Sequence, residues 1–555
     1  MRFQPPKIDF SREEAAEREI GRTAAGAGVR RFLIAAFLLT VAGVPAVQYL
    51  TESARIPRAF EIFRAFPNAW RAAVQAEGIP GRVSAANASL KADFKAFEKS
   101  LESESFIFRR ALPPVQGFTS RFLGLGNEKV YLGRDGWLFF RPDVDHVLGP
   151  GFLDSGPDGG RQGGPVPALL RFHADLAARG IRLVVVPVPV KPQIEPEHLS
   201  SRPAPAPLRN RSFARFVAEL ENAGIECLDI SDALVADKVR RPQFLKTDTH
   251  WTPAAMERAA GLIAEKIRSV PPDSLAGGHA GRAPLSGTRP TDSAAGFSRA
   301  PATEVVHAGD LTAMLRVGPE LFPSESVQIR PVLDAEGNPW RADPAAEVLL
   351  LGDSFANIYS APDLGWGTGA GLVEQLALEL QEPVDRIAIN AGGASTARQS
   401  LARSPERLAG KRVVVCEFAA RELSSGDWKI LPLAPPATTT SGSAGVRPQL
   451  AAATGTIREI THAPPPGTLP YKDLLICAHV TDVSGLHERE ILLFLPGMTN
   501  GALTPANALR AGDSISFRAV PWTTAEEKFG SINRLEISGP AADIEDIYWT
   551  EAVAH

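Results

Sequence analysis

Ser354 stands in Glu347-Val-Leu-Leu-Leu-Gly-Asp-Ser-Phe355, directly after an apolar run. Val348 to Leu351 read as a short buried strand, and the Gly-Asp-Ser that follows reads as a tight turn at its carboxyl end. Open α/β sheets carry their chemistry at that edge, and a serine on a sharp turn there is a recurrent way to expose a nucleophile. A serine hydroxyl is inert at neutral pH, so it requires a base within hydrogen-bond reach and a group that orients the base. His250 and Asp248 supply those types about a hundred residues upstream, in Phe244-Leu-Lys-Thr-Asp-Thr-His-Trp-Thr-Pro253. In Asp-x-His a loop folds the carboxylate back on the imidazole of its own turn. The same residues also read as a histidine packed behind a helix start, with Asp248 or Thr252 as its cap.

Acyl chemistry at Ser354 also needs N–H donors for an oxyanion. The Ser354 amide, next to Gly352, is one candidate. A second is the loop after Ile387-Ala-Ile-Asn390, where Ala391-Gly392-Gly393 allows close backbone approach, with Asn390 as the polar alternative. This loop reads equally as an ordinary strand-to-helix turn. Arg421, after the apolar run Val413 to Phe418, is a candidate for the same edge; its plainer reading is a salt bridge to an acidic residue. A second Gly-Asp-Ser, Gly512 to Ser514, precedes an alternating run and reads as a turn into a half-exposed strand. No Gly-x-x-x-x-Gly-Lys loop is present, Gly367-Thr-Gly-Ala-Gly371 lacks the context of a dinucleotide site, and the histidines show no metal-ligand spacing. The sequence therefore calls for no metal and no cofactor.

The elements that must position these residues read as an α/β domain. Apolar strands at 182–190, 225–230, 326–330, 348–351, 387–390 and 413–418 alternate with helices at 169–179, 213–223, 253–267 and 371–380, which argues for a mostly parallel sheet. Val130 to Phe140 reads as a hairpin turning at Arg134-Asp135-Gly136. Residues 52–119 carry helical periodicity, and 271–303 are a Gly/Ala/Pro/Ser insertion. Residues 433–455 read as a linker, and 456–555 as a small all-β module, a barrel or a sandwich; a five-stranded oligonucleotide/oligosaccharide-type barrel is one form.

At 555 residues the chain is long enough for two or three domains. A net charge of −4 gives no reason to expect a nucleic-acid partner. Cys227, Cys416 and Cys477 are widely spaced and odd in number, which fits buried apolar positions better than a disulfide framework. Arg30 and Arg31 precede an uncharged stretch over 32–51, long enough to span a bilayer. The positive flank predicts a single-pass anchor in the inner (cytoplasmic) membrane, with residues 1–31 cytoplasmic and the remainder periplasmic. A signal peptide is the rival reading.

Together these residues resemble a known family, the alginate-type polysaccharide O-acetyltransferases (the AlgJ/AlgX group within the SGNH hydrolase superfamily). The matching pieces are Gly133-Arg-Asp-Gly-Trp-Leu-Phe139, Gly180 to Lys191, Thr247-Asp-Thr-His-Trp-Thr252, Leu351-Gly-Asp-Ser-Phe355 and Val414-Val-Cys-Glu-Phe-Ala-Ala-Arg421. They span about 120–432, with Asp-x-His before Gly-Asp-Ser. The resemblance implies an SGNH-hydrolase-like α/β fold and a Ser354/His250/Asp248 triad that takes acetyl and passes it to a hydroxyl of an exported polysaccharide. It also implies a membrane-bound O-acyltransferase that brings the acetyl group. Two rivals remain: an acetyl esterase with the same triad, and a non-catalytic carbohydrate-binding subunit of an export complex.

Overall fold

The computed structural model describes the chain apart from residues 1–25, 44–46, 48–62, 155–162, 201–205, 270–295, 435–450, 465–472 and a few shorter gaps, Ala391 among them. Residues 1–25 of the cytoplasmic tail expected over 1–31, the body of the insertion and most of the linker therefore lie outside the described residues. The chain divides into two compact units, 1–112 and 113–555. The first contains α1 (Ala27–Leu38), α2 (Ala65–Gln75) and α3 (Gly78–Glu104). Phe66 of α2 meets the Phe94 ring of α3 edge-on at 6.4 Å. Of the anchor expected over 32–51, residues 44–46 and 48–51 lie outside the described residues. α1 passes into a π-helical turn, Leu39–Gly43, and no helix among the described residues is long and apolar enough to cross a membrane.

The second unit is built on a hairpin, a parallel sheet and a barrel. β1 (Val130–Leu132) and β2 (Leu138–Phe140) pair antiparallel and lead into α4 (Arg141–Leu148). The sheet comprises β3 (Arg182–Val188), β4 (Glu226–Cys227), β7 (Val348–Gly352), β8 (Val384–Ala388) and β9 (Val413–Ala419), in the order β8-β7-β9-β3-β4, all parallel. β7 lies between β8 and β9, and the chain leaves it towards β8 whereas it leaves β3 the opposite way, towards β4. The crevice at such a switch point is where open parallel sheets hold ligands, and Ser354 follows β7 directly.

Alternate residues of these strands feed two cores. Val184, Val186, Leu350 and Val415 face α6 (Pro253–Arg268) and α8 (Leu372–Leu380). Val185, Leu349, Leu351, Val414 and Phe418 face α5 (Pro165–Ala177) and α9 (Gly393–Arg403). Burial on both faces makes the strands read as unbroken apolar runs.

Two strand expectations need correction. Residues 326–330 do not join the sheet; β6 (Glu325–Ile329) pairs antiparallel with β5 (Thr303–His307) in a separate ribbon. Its alternating burial is that of a one-sided ribbon, whereas the true sheet strands are buried on both faces. The strand expected over 225–230 pairs only at Glu226 and Cys227. This is an edge position, so only one neighbour holds it.

The C-terminal module begins earlier than expected, because β10 (Ala451–Ile460) includes residues assigned to the linker. Ala451-Ala-Ala453 has little intrinsic strand preference, and pairing with the strand Ser514–Pro521 imposes it. β11 (Leu474–Ser484), β12 (Ile491–Thr499), β13 (Ser514–Pro521) and β14 (Ile547–Ala554) complete a closed barrel in the order β10-β11-β12-β14-β13 and back to β10. It is a barrel and not a sandwich. The second Gly-Asp-Ser turns into β13, as its sequence context predicts. In oligosaccharide-binding barrels the second and third strands present the ligand face. Here Leu475, Cys477, Leu492 and Phe494 on that face are covered by Trp522 and Ala525 of α10 (Trp522–Phe529) together with Ile537 and Ile547.

Candidate active site

The turn after β7 starts a short helical segment, Ser354–Asn357, capped by the Asp353 side chain, which accepts the Phe355 amide at 2.8 Å. Gly352 is required by close approach: a Cβ there would lie 2.7 Å from Glu417 Oε2 and 2.8 Å from Ala356 Cβ. His250 arrives on a tight hairpin closed by the Phe244–Trp251 bridge and by the Thr252 amide donating to Gln243 O at 2.9 Å. Thr252, not Asp248, caps α6, accepting from the Ala255 amide. Two bonds fasten the hairpin to the serine segment. Trp251 Nε1 donates to Phe355 O at 3.1 Å, and the Tyr359 hydroxyl donates to Trp251 O at 2.6 Å. From the other side, the buried Lys191 amine donates to Leu138 O at 2.7 Å and Lys246 O at 3.1 Å, tying the hairpin to β2.

These constraints line up one hydrogen-bonded chain. Ser354 Oγ lies 2.8 Å from His250 Nε2, and His250 Nδ1 lies 2.7 Å from Asp248 Oδ1. A carboxylate facing Nδ1 fixes the proton there, which leaves Nε2 as acceptor for the serine hydroxyl. Asp248 is heavily supplied with donors: Oδ1 also accepts the His250 amide at 3.0 Å, while Oδ2 accepts the Asp310 amide at 3.0 Å and Trp366 Nε1 at 2.8 Å. Burial alone would raise the Asp248 pKa; the His250 hydrogen bond and charge, with the other donors, outweigh it and hold the carboxyl far below its usual range. For His250, burial opposes the charged ring, and the hydrogen bond and charge of Asp248 together with the charge of Asp310 override it and raise the pKa.

Sequence reasoning missed the second tier. Asp310 opens α7 (Asp310–Leu315), accepts the Thr249 amide at 2.7 Å and comes within 4.0 Å of His250 Nδ1. Burial, then the charge of Asp248, raises the Asp310 carboxyl to about 6. Ligand atoms of Asp248, His250 and Asp310 lie within 4.8 Å of one another. The N–H and O–H groups of Asp310, Trp366 and Thr249 already point at the carboxylate oxygens, an arrangement that suits anions held by donors and not a cation. The only advance signals were His307-Ala-Gly-Asp310 and Gly365-Trp-Gly367, and neither has a chemical spacing.

The remaining candidates are distributed around this chain. Asn390 is buried; its Oδ1 accepts from Asn357 Nδ2 at 2.8 Å, and its Nδ2 has no hydrogen-bond partner among the described residues. Gly392 and Gly393 form the turn into α9, where a Cβ on Gly393 would come 2.9 Å from Glu422 Oε2. That is the ordinary strand-to-helix turn. Arg421 forms the expected salt bridge, to the buried Asp143 at 3.2 Å, and its guanidinium also lies 5.7 Å from the Phe355 ring centre. Its charge lowers the His250 pKa, opposing the carboxylates. Cys416 and Cys477 are buried and their thiols are pushed up to about 12, which leaves them inert, while Cys227 is partly buried.

The family described as SGNH hydrolase-like domain, acetyltransferase AlgX, matches residues 130–420, more than half of the chain. The chain belongs to this family. Among curated proteins it is 31% identical over 234 residues to a probable alginate O-acetylase AlgJ of Pseudomonas aeruginosa, covering 41% of this chain and 53% of that protein. It is 31% identical over 272 residues to the AlgJ of Pseudomonas syringae pv. tomato, covering 47% and 63%. Against the P. aeruginosa alginate biosynthesis protein AlgX it is 30% identical over 157 residues, covering 28% and 31%. The chain thus spans about half to two thirds of the AlgJ relatives' length. Among solved structures it is similar to the O-acetyltransferase domain of Pseudomonas putida AlgJ, with 24% identity, coverage of 53% and 92%, and a TM-score of 0.39.

Proposed function

We propose that this AlgX-family chain is an O-acetyltransferase that carries acetyl as a Ser354 ester to hydroxyls of an exported polysaccharide. The observation that carries the reading is the Ser354–His250–Asp248 chain at the switch point of the sheet. Ser354 Oγ attacks the donor's acetyl carbonyl as its proton passes to His250 Nε2. The oxyanion is met by the Ser354 amide and by Asn390 Nδ2, a buried donor without a partner among the described residues. His250 returns the proton to the leaving oxygen, which leaves acetyl-Ser354. An acceptor hydroxyl then gives its proton to His250 and attacks the ester, and Ser354 is regenerated with that proton. Asp248 holds the tautomer and stabilises the imidazolium throughout.

The relatives' names make alginate the first acceptor to test. A membrane-bound O-acyltransferase is the proposed source of acetyl. The proposal includes an inner-membrane anchor within 32–51 and a periplasmic catalytic domain; its support is the Arg30-Arg31 flank before an uncharged apolar run.

The test uses full-length protein in detergent, wild type and Ser354→Ala, with a chromogenic acetyl ester and oligomannuronate, the acetyl group being followed by mass spectrometry. Ser354-dependent acetyl on the sugar supports the transferase. Ser354-dependent free acetate alone, with acceptor present, points instead to an esterase.

A further inference from the structure

The ribbon of β5 and β6 stands outside the parallel sheet, yet it grips the hairpin that carries Asp248 and His250. Glu325, the first residue of β6, is a half-buried carboxylate that the mechanism above does not use. Its Oε2 accepts the Lys246 amide at 2.8 Å, and its Oε1 accepts the Thr247 amide at 2.7 Å and the Thr247 hydroxyl at 2.6 Å. One carboxylate thus holds the two residues that precede Asp248. The loop between the ribbon's strands closes on the same place. The Leu311 amide donates to Thr247 O at 3.1 Å, and the Gly309 amide to Thr247 Oγ1 at 3.3 Å. A Cβ on Gly309 would lie 2.2 Å from the Thr247 carbonyl carbon and 2.5 Å from the Asp248 nitrogen, so only glycine lets the loop come this close. The ribbon therefore meets both backbone polar atoms of Thr247 and its hydroxyl. The Lys246 carbonyl, in turn, accepts the Leu138 amide at 2.8 Å and Lys191 Nζ at 3.1 Å.

Asp248 follows Thr247 directly, and its 2.7 Å bond to His250 Nδ1 spans a single turn of the hairpin. A small shift of the Lys246 and Thr247 backbone would move the carboxylate off the ring nitrogen. Of the contacts that prevent it, the Glu325 bonds are made by a side chain, so they can be removed without altering the backbone that receives them. We propose that Glu325 is a positioning residue: by binding the Lys246 and Thr247 amides it seats the hairpin on the ribbon and so keeps the Asp248 carboxylate on His250 Nδ1. This inference rests on the acyl-transfer reading of the site. Glu325 acts through Asp248 and not on the reacting atoms, and the ribbon that the sheet leaves out gains a task.

Full-length Glu325→Ala and Glu325→Gln, beside wild type, Ser354→Ala and Asp248→Asn, test it by aryl acetate turnover well below the unfolding midpoint of each protein. Glu325→Ala is expected to lower the Ser354-dependent kcat about 100-fold, the scale of a misplaced catalytic group, with KM little changed. Glu325→Gln keeps one oxygen acceptor and sets an N–H against the other amide, so its kcat is expected to fall between those of Glu325→Ala and wild type. Adding Glu325→Ala to Asp248→Asn is expected to lower kcat little further, because residues that act as a unit are not additive. A ribbon that only stabilised the fold would leave kcat at the wild-type value in the folded variants. One readout is free of turnover: a proton on His250 Nδ1 shared with a carboxylate gives a far-downfield proton resonance, expected in wild type and lost or shifted upfield in Glu325→Ala. Wild-type kcat in the Glu325 variants, a further loss of about 100-fold on top of Asp248→Asn, or an unchanged resonance in Glu325→Ala would each overturn the proposal. If Glu325→Ala does not fold, Glu325→Gln decides, and wild-type kcat with an unchanged resonance there overturns it. Absence of Ser354-dependent turnover in wild type would sink the acyl-transfer reading instead, and the resonance would still decide whether Glu325 keeps Asp248 on His250.

Discussion

The Tyr359 hydroxyl donates to the Trp251 carbonyl oxygen at 2.6 Å across 108 residues of sequence, and the Trp251 indole returns a bond to Phe355 O. These two bonds set the register between the segment bearing Ser354 and the hairpin bearing His250. Tyr359→Phe keeps the buried ring and removes one donor, leaving the Trp251 carbonyl without it. An unmet buried polar group costs about 1 to 3 kcal/mol, so the variant should lose about that much stability by chemical denaturation. Its kcat should fall more than its KM changes, because the loosened contact is the Ser354–His250 pair and not a surface that holds substrate. A variant with wild-type stability and turnover would show that other packing sets the register.

Asp248→Asn tests how the imidazole is held. The Asp248 carboxylate accepts four donors, one of them His250 Nδ1, and an amide in its place sets an N–H against some of them, so the proton on Nδ1 is no longer enforced. In a Ser-His-Asp triad the corresponding change costs about 10⁴-fold in kcat, and a loss of that order is expected here with Ser354-dependent ester turnover as the readout. A loss of only severalfold would mean that Asp310 and Trp366 hold His250 without help from the Asp248 charge.

Asp310 makes a prediction with a definite sign. Its carboxyl lies 4.0 Å from His250 Nδ1, and its charge is one of the influences that raise the His250 pKa. The base must be neutral to accept the serine proton, so activity should fall as pH drops through a His250 pKa above the ordinary imidazole range. Burial and the charge of Asp248 raise Asp310 itself to about 6, so it carries its charge above that pH. Asp310→Asn removes the charge and should move the acidic limb of kcat/KM downward by about one pH unit. An upward shift, or none, would assign Asp310 to holding Thr249 alone.

The legible parts of this chain were those where one residue type has few other uses. An apolar run ending in Gly-Asp-Ser points to Ser354 because the strand is buried on both faces, and the all-β module is legible in its alternation because its sheet faces a core on one side and its surroundings on the other, while closure into a barrel is set by strand pairing and leaves no mark in the alternation. Asp310, Trp366 and Tyr359 were not legible, because each reaches the site from a separate segment and only the fold brings them together. Residues 326–330 misled for a related reason: a β-branched, alternating run says strand but not which sheet. The three alanines from Ala451 carry almost no signal of their own and become strand through their neighbours on β13.

The junction between α9 and the barrel offers the last test. Glu536 accepts from Arg534 Nε at 3.1 Å and lies 3.7 Å from Arg403 of α9. The Arg534 side chain is only 1% exposed and is stacked beside Phe494 and Trp522, so its charge has no access to water. Removing one partner of a buried pair leaves the other uncompensated, at a cost of about 3 to 5 kcal/mol. Glu536→Gln should therefore lower the unfolding midpoint of the barrel clearly, and Arg534→Met with Glu536→Leu should restore much of it, because the double change removes the charge along with its partner. Single and double variants would be compared by chemical denaturation, and a double variant no more stable than Glu536→Gln would mean that the two arginines hold the junction through geometry and not through charge.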